Sequence, residues 1–188
     1  NLKSAVVAKG MKSIGHEAFS ECKNLETIEL PKGLTSIGTS AFCLCGKLKS
    51  IELPKSISYL GMEAFGKCES LKSVILPEGL DCVNRGLFSG CYGLEEVSIP
   101  ESAKTIESYA FLRCRSLKAV ELPEELEAIK YGAFYECSSL KEIIVPKTCK
   151  SIESMAFYMC NSLEKVQVPK DCEIGEMAFP EYVWVVRD

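Results

Sequence analysis

Apolar residues recur along this chain with a period of 23 residues. Leucine occupies position 2 and every 23rd position after it up to Leu163, and phenylalanine keeps the same interval from Phe19 to Phe157. Cysteine, from Cys22 to Cys160, and proline, from Pro31 to Pro169, follow in registers of their own. Four residue types in fixed phase indicate about eight copies of one structural unit, and not one irregular globular domain.

The second copy shows how the unit is built. Ile28 and Leu30 alternate with polar residues, which predicts a short strand whose other side chains point to the opposite face. A proline then ends the strand, because it has no N–H to donate to a neighbour. The segment from Leu34 to Ile37 has apolar residues at spacing three and is compatible with a second short strand or with an extended turn.

The Ala–Phe–x–x–Cys block completes each unit. In the second copy, Ala41 and Phe42 precede Cys45 by four and three residues, which predicts one face of a single helical or 3₁₀ turn. A unit of this size cannot bury its apolar edge alone, whereas stacked units can. The pattern therefore predicts a curved solenoid, with a parallel sheet on one side and short helical turns and loops on the other.

The whole chain, 1–188, is predicted to be a single domain whose end repeats differ from the others. Residues 1–24 form an incomplete first repeat, and residues 170–188 form an aberrant last repeat and a C-terminal cap with Trp184 as its plug. Aberrant end repeats are expected where an open solenoid must be covered. Because the first residue falls inside a repeat, we expect a longer precursor, so the absence of a visible secretory signal says little about location.

The repeated string L-x-x-I-x-L-P-x-x-L-x-x-I-x-x-x-A-F-x-x-C resembles the BspA-like class of leucine-rich repeats. The resemblance extends from Leu2 to Phe179, with few departures, such as Leu87 in place of an alanine. It implies a secreted or surface-attached bacterial protein that adheres to host proteins or to other cells. The family has no fixed catalytic residues, so the resemblance implies none here.

Composition excludes several classes of function. Hydrophobic residues make up 47% of the chain and charged residues 26%, with a net charge of −4. This balance is that of an ordinary globular protein and gives no reason to expect binding to nucleic acid. No apolar run has the length of a membrane span, so we expect no membrane insertion of this segment.

The eleven cysteines raise the question of disulfides or metal. Cysteines 23 residues apart along a rod cannot converge on one metal ion, so we predict buried, free thiols that satisfy loop backbone groups. Cys149 and Cys172 take core positions in adjacent coils, and such a stacked pair could oxidise if its geometry allowed. Cys43 and Cys82 lie outside the core register and are expected to be more exposed.

An enzyme is not indicated. His16 is the only histidine, which leaves no convincing Ser–His or Cys–His pair, and no glycine-rich phosphate loop is present. Glu29 and Glu52 occupy equivalent slots and could meet as a carboxylate pair, but neighbouring lysines favour a solvated face. We expect no cofactor and no metal.

Two surfaces are candidates for binding a protein partner. The first follows the phenylalanine slot in the second half of the chain, where large side chains form an exposed apolar ridge or pack flat against one another. It comprises Leu112, Tyr135, Tyr158, Tyr109 and Tyr131. The alternative is the face of the sheet that points away from the core. It comprises Glu29, Glu52, Ile75, Glu96, Ser98, Glu121, Glu142 and Ile144.

The sequence therefore predicts an extracellular or cell-surface protein-interaction module, with a host extracellular-matrix or cell-surface protein among the expected partners. One alternative is a structural spacer that presents another domain of a longer protein. A weaker alternative is an intracellular or immune-type recognition scaffold. The identity of the ligand and the oligomeric state are not encoded in the repeat pattern.

Overall fold

The computed structural model describes residues 1–188 and contains short strands and turns but no helix. The first series of strands lies where the repeat predicts it, after the leucine of six coils and after Val183 near the C-terminus, whereas the third and sixth coils form no strand there. These strands are β1 (Ser4–Val6), β3 (Thr27–Glu29), β6 (Ser73–Ile75), β8 (Glu96–Ser98), β11 (Glu142–Ile144), β13 (Lys165–Val168) and β15 (Trp184–Arg187).

The segment that the sequence left open forms a second series of strands. One two-residue strand in each coil follows the proline-ended turn, and its last residue is buried in most coils. These strands are β2 (Ser13–Ile14), β4 (Ser36–Ile37), β5 (Tyr59–Leu60), β7 (Cys82–Val83), β9 (Thr105–Ile106), β10 (Ala128–Ile129), β12 (Ser151–Ile152) and β14 (Glu173–Ile174).

All strand pairs are parallel and join equivalent residues of neighbouring coils, for example Ser4 with Thr27. The chain is thus a parallel solenoid, as predicted. The first series forms three separate sheets, β1-β3, β6-β8 and β11-β13-β15, which together we name the first face. The second series forms two sheets, β2-β4-β5 and β7-β9-β10-β12-β14, which form the second face.

The prediction of a helical turn at each phenylalanine is wrong. Left-handed residues stand two positions before and two positions after the ring, as at Ser40 (φ 52°) and Leu44 (φ 63°), and such residues cannot continue a right-handed helix. The turn instead binds its neighbour directly. The amide of Phe42 donates to the carbonyl of Ala64 in the next coil over 2.8 Å.

One core of buried apolar side chains runs from Ile14 to Val183. Its centre is a stack of phenylalanine rings, one from each coil, with centroids 5.0–5.7 Å apart and planes within 15° of parallel. The stack passes through every coil, so each middle ring has a ring on both sides. Deleting one ring would leave a cavity that neither neighbour can fill.

The C-terminal coil is closed differently from the prediction. Trp184 is 70% exposed and is not a plug. Trp184 lies on β15, which pairs in register with β13, and its side chain points away from the core. The flanking Val183 and Val185 pack against the core. The inward positions of a strand alternate with the outward ones, and the tryptophan falls on an outward position.

Candidate protein-binding surfaces

The outward side chains of the first face stand in solvent, as the alternation in the sequence predicts. Among polar neighbours, this face carries Val6, Ile75, Ile144 and Trp184, which are 73%, 74%, 66% and 70% exposed. The eight residues predicted for this face are all exposed, and all except Glu52 and Glu121, whose coils form no strand there, lie on its strands; they are Glu29, Glu52, Ile75, Glu96, Ser98, Glu121, Glu142 and Ile144. Single exposed apolar side chains are common on any surface, whereas neighbouring ones that form a patch often mark a contact site.

The C-terminal part of the first face brings two of these apolar groups onto one sheet. Strands β11, β13 and β15 align Glu142 with Lys165 and Trp184 in one row. Ile144 stands in the next row of the same sheet. The Lys165 ammonium lies 5.7 Å from the centre of the Trp184 ring, close enough for a cation–π contact that holds the ring in place. Sequence analysis missed Trp184 as a surface residue.

The first face is interrupted between the second and third coils. No backbone hydrogen bond joins Thr27–Leu30 to Ser50–Leu53, and an open groove of about 880 Å³ lies between and beside these segments. The groove is lined by both charged and apolar side chains, among them Glu29 and Glu52. The two carboxylates that could have formed an acid pair therefore flank a solvent-filled groove.

The tyrosines of the other candidate surface form two packed pairs. Tyr109 meets Tyr131 edge-on with centroids 5.4 Å apart, and Tyr135 meets Tyr158 at a tilt with centroids 5.6 Å apart. All four rings and Leu112 are half-buried. The geometry therefore favours packing across coils over a freely exposed ridge, although the outer edges of the rings remain in contact with water.

A glycine makes room for the first tyrosine pair. Gly132 occupies the left-handed slot before its phenylalanine (φ 57°), and a Cβ added there would lie 2.9 Å from Cε1 of Tyr109. The Tyr109 ring thus lies across the backbone of the next coil. Beyond it, the Tyr131 hydroxyl donates to the Met155 sulfur over 3.2 Å.

A charged cluster that sequence analysis did not identify lies beside the second tyrosine pair. Arg113 Nε lies 2.8 Å from Glu136 Oε2, and Arg115 also pairs with Glu136 while its guanidinium lies 5.3 Å from the centre of the Tyr92 ring. Partial burial alone would raise the pKa of Glu136, but hydrogen bonds from Arg115 and Arg113 lower that pKa below its ordinary value. The only signal of this cluster in the sequence is that Arg113 and Glu136, which carry opposite charges, lie one repeat apart.

The cysteine ladder, defined as Cys22, Cys45, Cys68, Cys91, Cys114, Cys137 and Cys160, is structural. Every cysteine in the chain is a free thiol. From the second member onward, each ladder thiol donates to the carbonyl of the phenylalanine in the preceding coil, over 3.0–3.2 Å. Burial raises the pKa of Cys91 to about 12, so this thiol does not ionise at neutral pH. Cys43 and Cys82 are half-buried.

The residues that could do chemistry are dispersed. His16 is exposed, and its Nδ1 lies 3.0 Å from the carbonyl of Thr39. No three side chains among histidine, cysteine, aspartate and glutamate come together in a way that could hold a metal ion. No helix of the length and apolarity that a membrane span requires is present.

The family model of the BspA-type leucine-rich-repeat region matches residues 1–117 and 82–183 of this chain, with six copies. Several solved bacterial structures share the fold. A leucine-rich-repeat protein of Bacteroides ovatus superposes with a TM-score of 0.76 at 29% identity, over 93% of this chain and 51% of its own. One from Eubacterium ventriosum has a TM-score of 0.77 at 30% identity, over 85% of this chain and 43% of its own.

A third relative is described as a leucine-rich cell surface protein of Faecalibacterium prausnitzii. It has a TM-score of 0.75 at 27% identity and is matched over 100% of this chain and 61% of its own. The chain therefore spans 43–61% of the length of these three proteins. Among curated proteins, none matches the chain.

Proposed function

Because this chain belongs to the BspA-type leucine-rich-repeat family, we propose that it is a protein-binding module displayed outside the cell, where it adheres to a host protein or to another cell. Leucine-rich-repeat scaffolds generally mediate protein–protein interactions. The description of the Faecalibacterium prausnitzii relative as a cell surface protein supports the location. The expected partner is a host extracellular-matrix or cell-surface protein.

One observation carries the proposal, namely the exposed apolar side chains of the first face. Trp184 and Ile144 stand on one continuous three-stranded sheet at 70% and 66% exposure. Tryptophan is enriched among the residues that dominate binding energy, because it buries a large rigid surface. The surrounding Glu142, Lys165 and Gln167 supply the polar rim that such a contact needs.

The test compares two double variants for binding to a panel of purified extracellular-matrix proteins. Ile144→Ser with Trp184→Ser removes two large apolar groups of the first face. We expect the dissociation constant to rise roughly 30-fold, because losing a contact of this kind costs about 2 kcal/mol of binding free energy. Tyr135→Ser with Tyr158→Ser is the matched control on the other surface. If only the tyrosine variant loses binding while its fold is intact, the binding site is the tyrosine surface.

A structural spacer is the second candidate, and one observation favours it. The chain spans only 43–61% of the length of its relatives, so other parts of a longer protein could make the contact. A spacer requires the stack of coils and not the outer side chains. Unchanged adhesion of cells that display the Ile144→Ser, Trp184→Ser variant within the full-length protein would favour the spacer over the binding module.

A further inference from the structure

Two cysteines outside the ladder occupy equivalent positions in adjacent coils. Cys149 and Cys172 follow equivalent prolines by three residues, and in both coils the cysteine amide closes the turn by donating to that proline's carbonyl, over 3.0 and 3.1 Å. Neighbouring parallel chains lie about 4.8 Å apart, which is within the Cα separation that a disulfide spans. Both side chains also line one surface cavity.

These two thiols differ from the ladder thiols in what holds them. Each ladder thiol from Cys45 onward is fixed at 3.0–3.2 Å to a phenylalanine carbonyl of the preceding coil. Cys149 and Cys172 reach only local carbonyls, at 3.5 and 3.7 Å. Moving either sulfur therefore breaks no strong hydrogen bond, whereas moving a ladder sulfur breaks one in a dry interior.

The surroundings also differ. Both thiols line a surface cavity of about 270 Å³, whose other charged residues are three lysines and two aspartates: Lys147, Lys150, Lys170, Asp171 and Asp188. Arg187 closes the same loop by donating to the carbonyl of Cys172 over 2.9 Å. Both thiols thus line a surface cavity of mixed charge, which gives a small disulfide reagent a route to the sulfur atoms. From Cys45 onward the ladder cysteines are 0% exposed, compared with 2% for Cys149 and 3% for Cys172.

We propose that Cys149 and Cys172 are a disulfide site, which a small-molecule disulfide such as oxidised glutathione converts to a covalent link between the last complete coil and the shortened coil that follows it. The thiolate of one cysteine attacks the glutathione disulfide, forms a mixed disulfide and releases one glutathione thiolate. The second cysteine thiolate then attacks the sulfur attached to the protein and releases the second glutathione thiolate. The protein loses two electrons and two protons, and one oxidised glutathione becomes two reduced molecules.

Cys172 is the expected first nucleophile. Burial raises the pKa of both thiols, to about 12 for Cys149, whereas Arg187 opposes the increase at Cys172. The thiolate is the attacking species, so the less perturbed thiol reacts first. The product would tie the shortened last coil, which has a complete coil on one side only, to its neighbour.

The experiment treats the folded protein with excess oxidised glutathione, unfolds it under acid, alkylates the remaining thiols and maps the tryptic peptides. We expect two of the eleven thiols to be lost and the peptides 148–150 and 171–187 to be joined, with the mass of two hydrogens missing. The melting temperature should rise by roughly 5–10 °C, because the link closes a loop of about one coil. Reduction should reverse both changes.

In Cys172→Ser, oxidation should remove no pair of thiols and should leave the melting temperature unchanged. Cys137 and Cys160 remain in this variant as a matched ladder pair. Eleven unchanged thiols in the treated protein would overturn the proposal. So would stable glutathione adducts on both cysteines, or a link within the ladder. Because the readout is made on the native sequence, a variant that folds poorly does not affect the conclusion.

Discussion

The phenylalanine side and the first face of this solenoid are built from the same coils but are joined differently. On the phenylalanine side, every junction repeats the same amide-to-carbonyl bond, from Phe19 to Ala41 through Phe157 to Ala178, at 2.7–3.0 Å. On the first face, strand pairing stops at the third coil, where only Ser50 bridges to Ser73, and again at the sixth, where residues 119–121 form no strand.

The difference indicates which side maintains the stack. On the phenylalanine side, each ring stacks on rings of neighbouring coils and each phenylalanine amide from Phe19 to Phe157 donates to a carbonyl of the next coil, so each coil depends on the next one there. The first face can lose strand pairing at two coils without opening the core, and its outer residues vary freely between apolar, acidic and basic. We infer that the phenylalanine side determines stability, while the first face is the one free to acquire a binding partner.

The largest expected effect is on the free energy of unfolding when a middle ring is deleted. Phe111→Ala removes a fully buried ring stacked on both sides and should cost about 3–5 kcal/mol. Phe19→Ala should cost less, because Phe19 is half-buried and stacks on Phe42 alone. Urea denaturation measures both, with Ile75→Ser on the first face as the control, expected within about 0.5 kcal/mol of the parent. Equal losses at Phe111 and Phe19 would contradict the stacked-coil account.

A smaller loss is expected on the tyrosine surface. Tyr135→Ser with Tyr158→Ser removes a half-buried aromatic pair and should cost about 2 kcal/mol in buried area and ring contact. Ile144→Ser with Trp184→Ser, on the first face, should change the free energy of unfolding by less than about 1 kcal/mol, since both side chains are mostly exposed. The two thermal melts, recorded side by side, decide the comparison. A larger loss in the Ile144 and Trp184 variant would mean that the first face is structural.

How far the sequence predicts this molecule depends on whether a feature recurs in every coil. The inward strand positions and the buried ladder thiols recur, so the repeat alone places them. Trp184 has no counterpart at the 23-residue interval, because the last coil is shortened. Its strand partner, Lys165, lies only 19 positions before it. The interval of 23 therefore cannot assign an orientation to it. The orientation of the Tyr109 ring could not be predicted from the repeat either, because it depends on Gly132 in the adjacent coil.

The missing helix has a related cause. The spacing of Ala41, Phe42 and Cys45 fits one helical face, but spacing does not report the sign of φ. Ser40 and Leu44 adopt left-handed conformations although neither is glycine. The backbone hydrogen bonds to the next coil impose this conformation, since alternate amides must point along the solenoid axis to reach their acceptors. A tertiary hydrogen-bond network thus overrides the local preference for a helix.

A substitution at the tyrosine surface would sharpen this point. Gly132 and Gly86 share the left-handed slot, with φ of 57° and 61°, but an added Cβ meets the Tyr109 ring at Gly132 and the flexible Glu63 side chain at Gly86. We expect Gly132→Ala to cost about 1 kcal/mol more than Gly86→Ala in urea denaturation, because an aromatic ring cannot move aside as easily. Combining Gly132→Ala with Tyr109→Ser should remove most of the excess. If the two alanine variants lose the same stability, φ alone determines the cost.

The smallest expected effect is the pH dependence of one ion-pair bridge beside the first face. Hydrogen bonds from Lys118 and Lys72 lower the pKa of Glu95 to about 2, from an ordinary value of 4.5. These lysines belong to the coils on either side, so Glu95 links three coils, including the junction where strand pairing stops. A carboxyl whose pKa is lower in the folded state stabilises the fold above pH 4.5, and this contribution disappears as the pH falls to about 2.

The measurement is the melting temperature of the parent and of Glu95→Gln between these two pH values. We expect the parent to lose slightly more stability than the variant as the pH falls, and the difference to shrink in high salt, because all three side chains are exposed to solvent and their charges are screened. Glu52→Gln, on the same face and without an ion pair, is the control and should follow the parent. Parallel curves for the parent and Glu95→Gln in low salt would mean that the two lysines do not hold the carboxylate in solution. The junction between the fifth and sixth coils would then depend on the phenylalanine side and the second face alone.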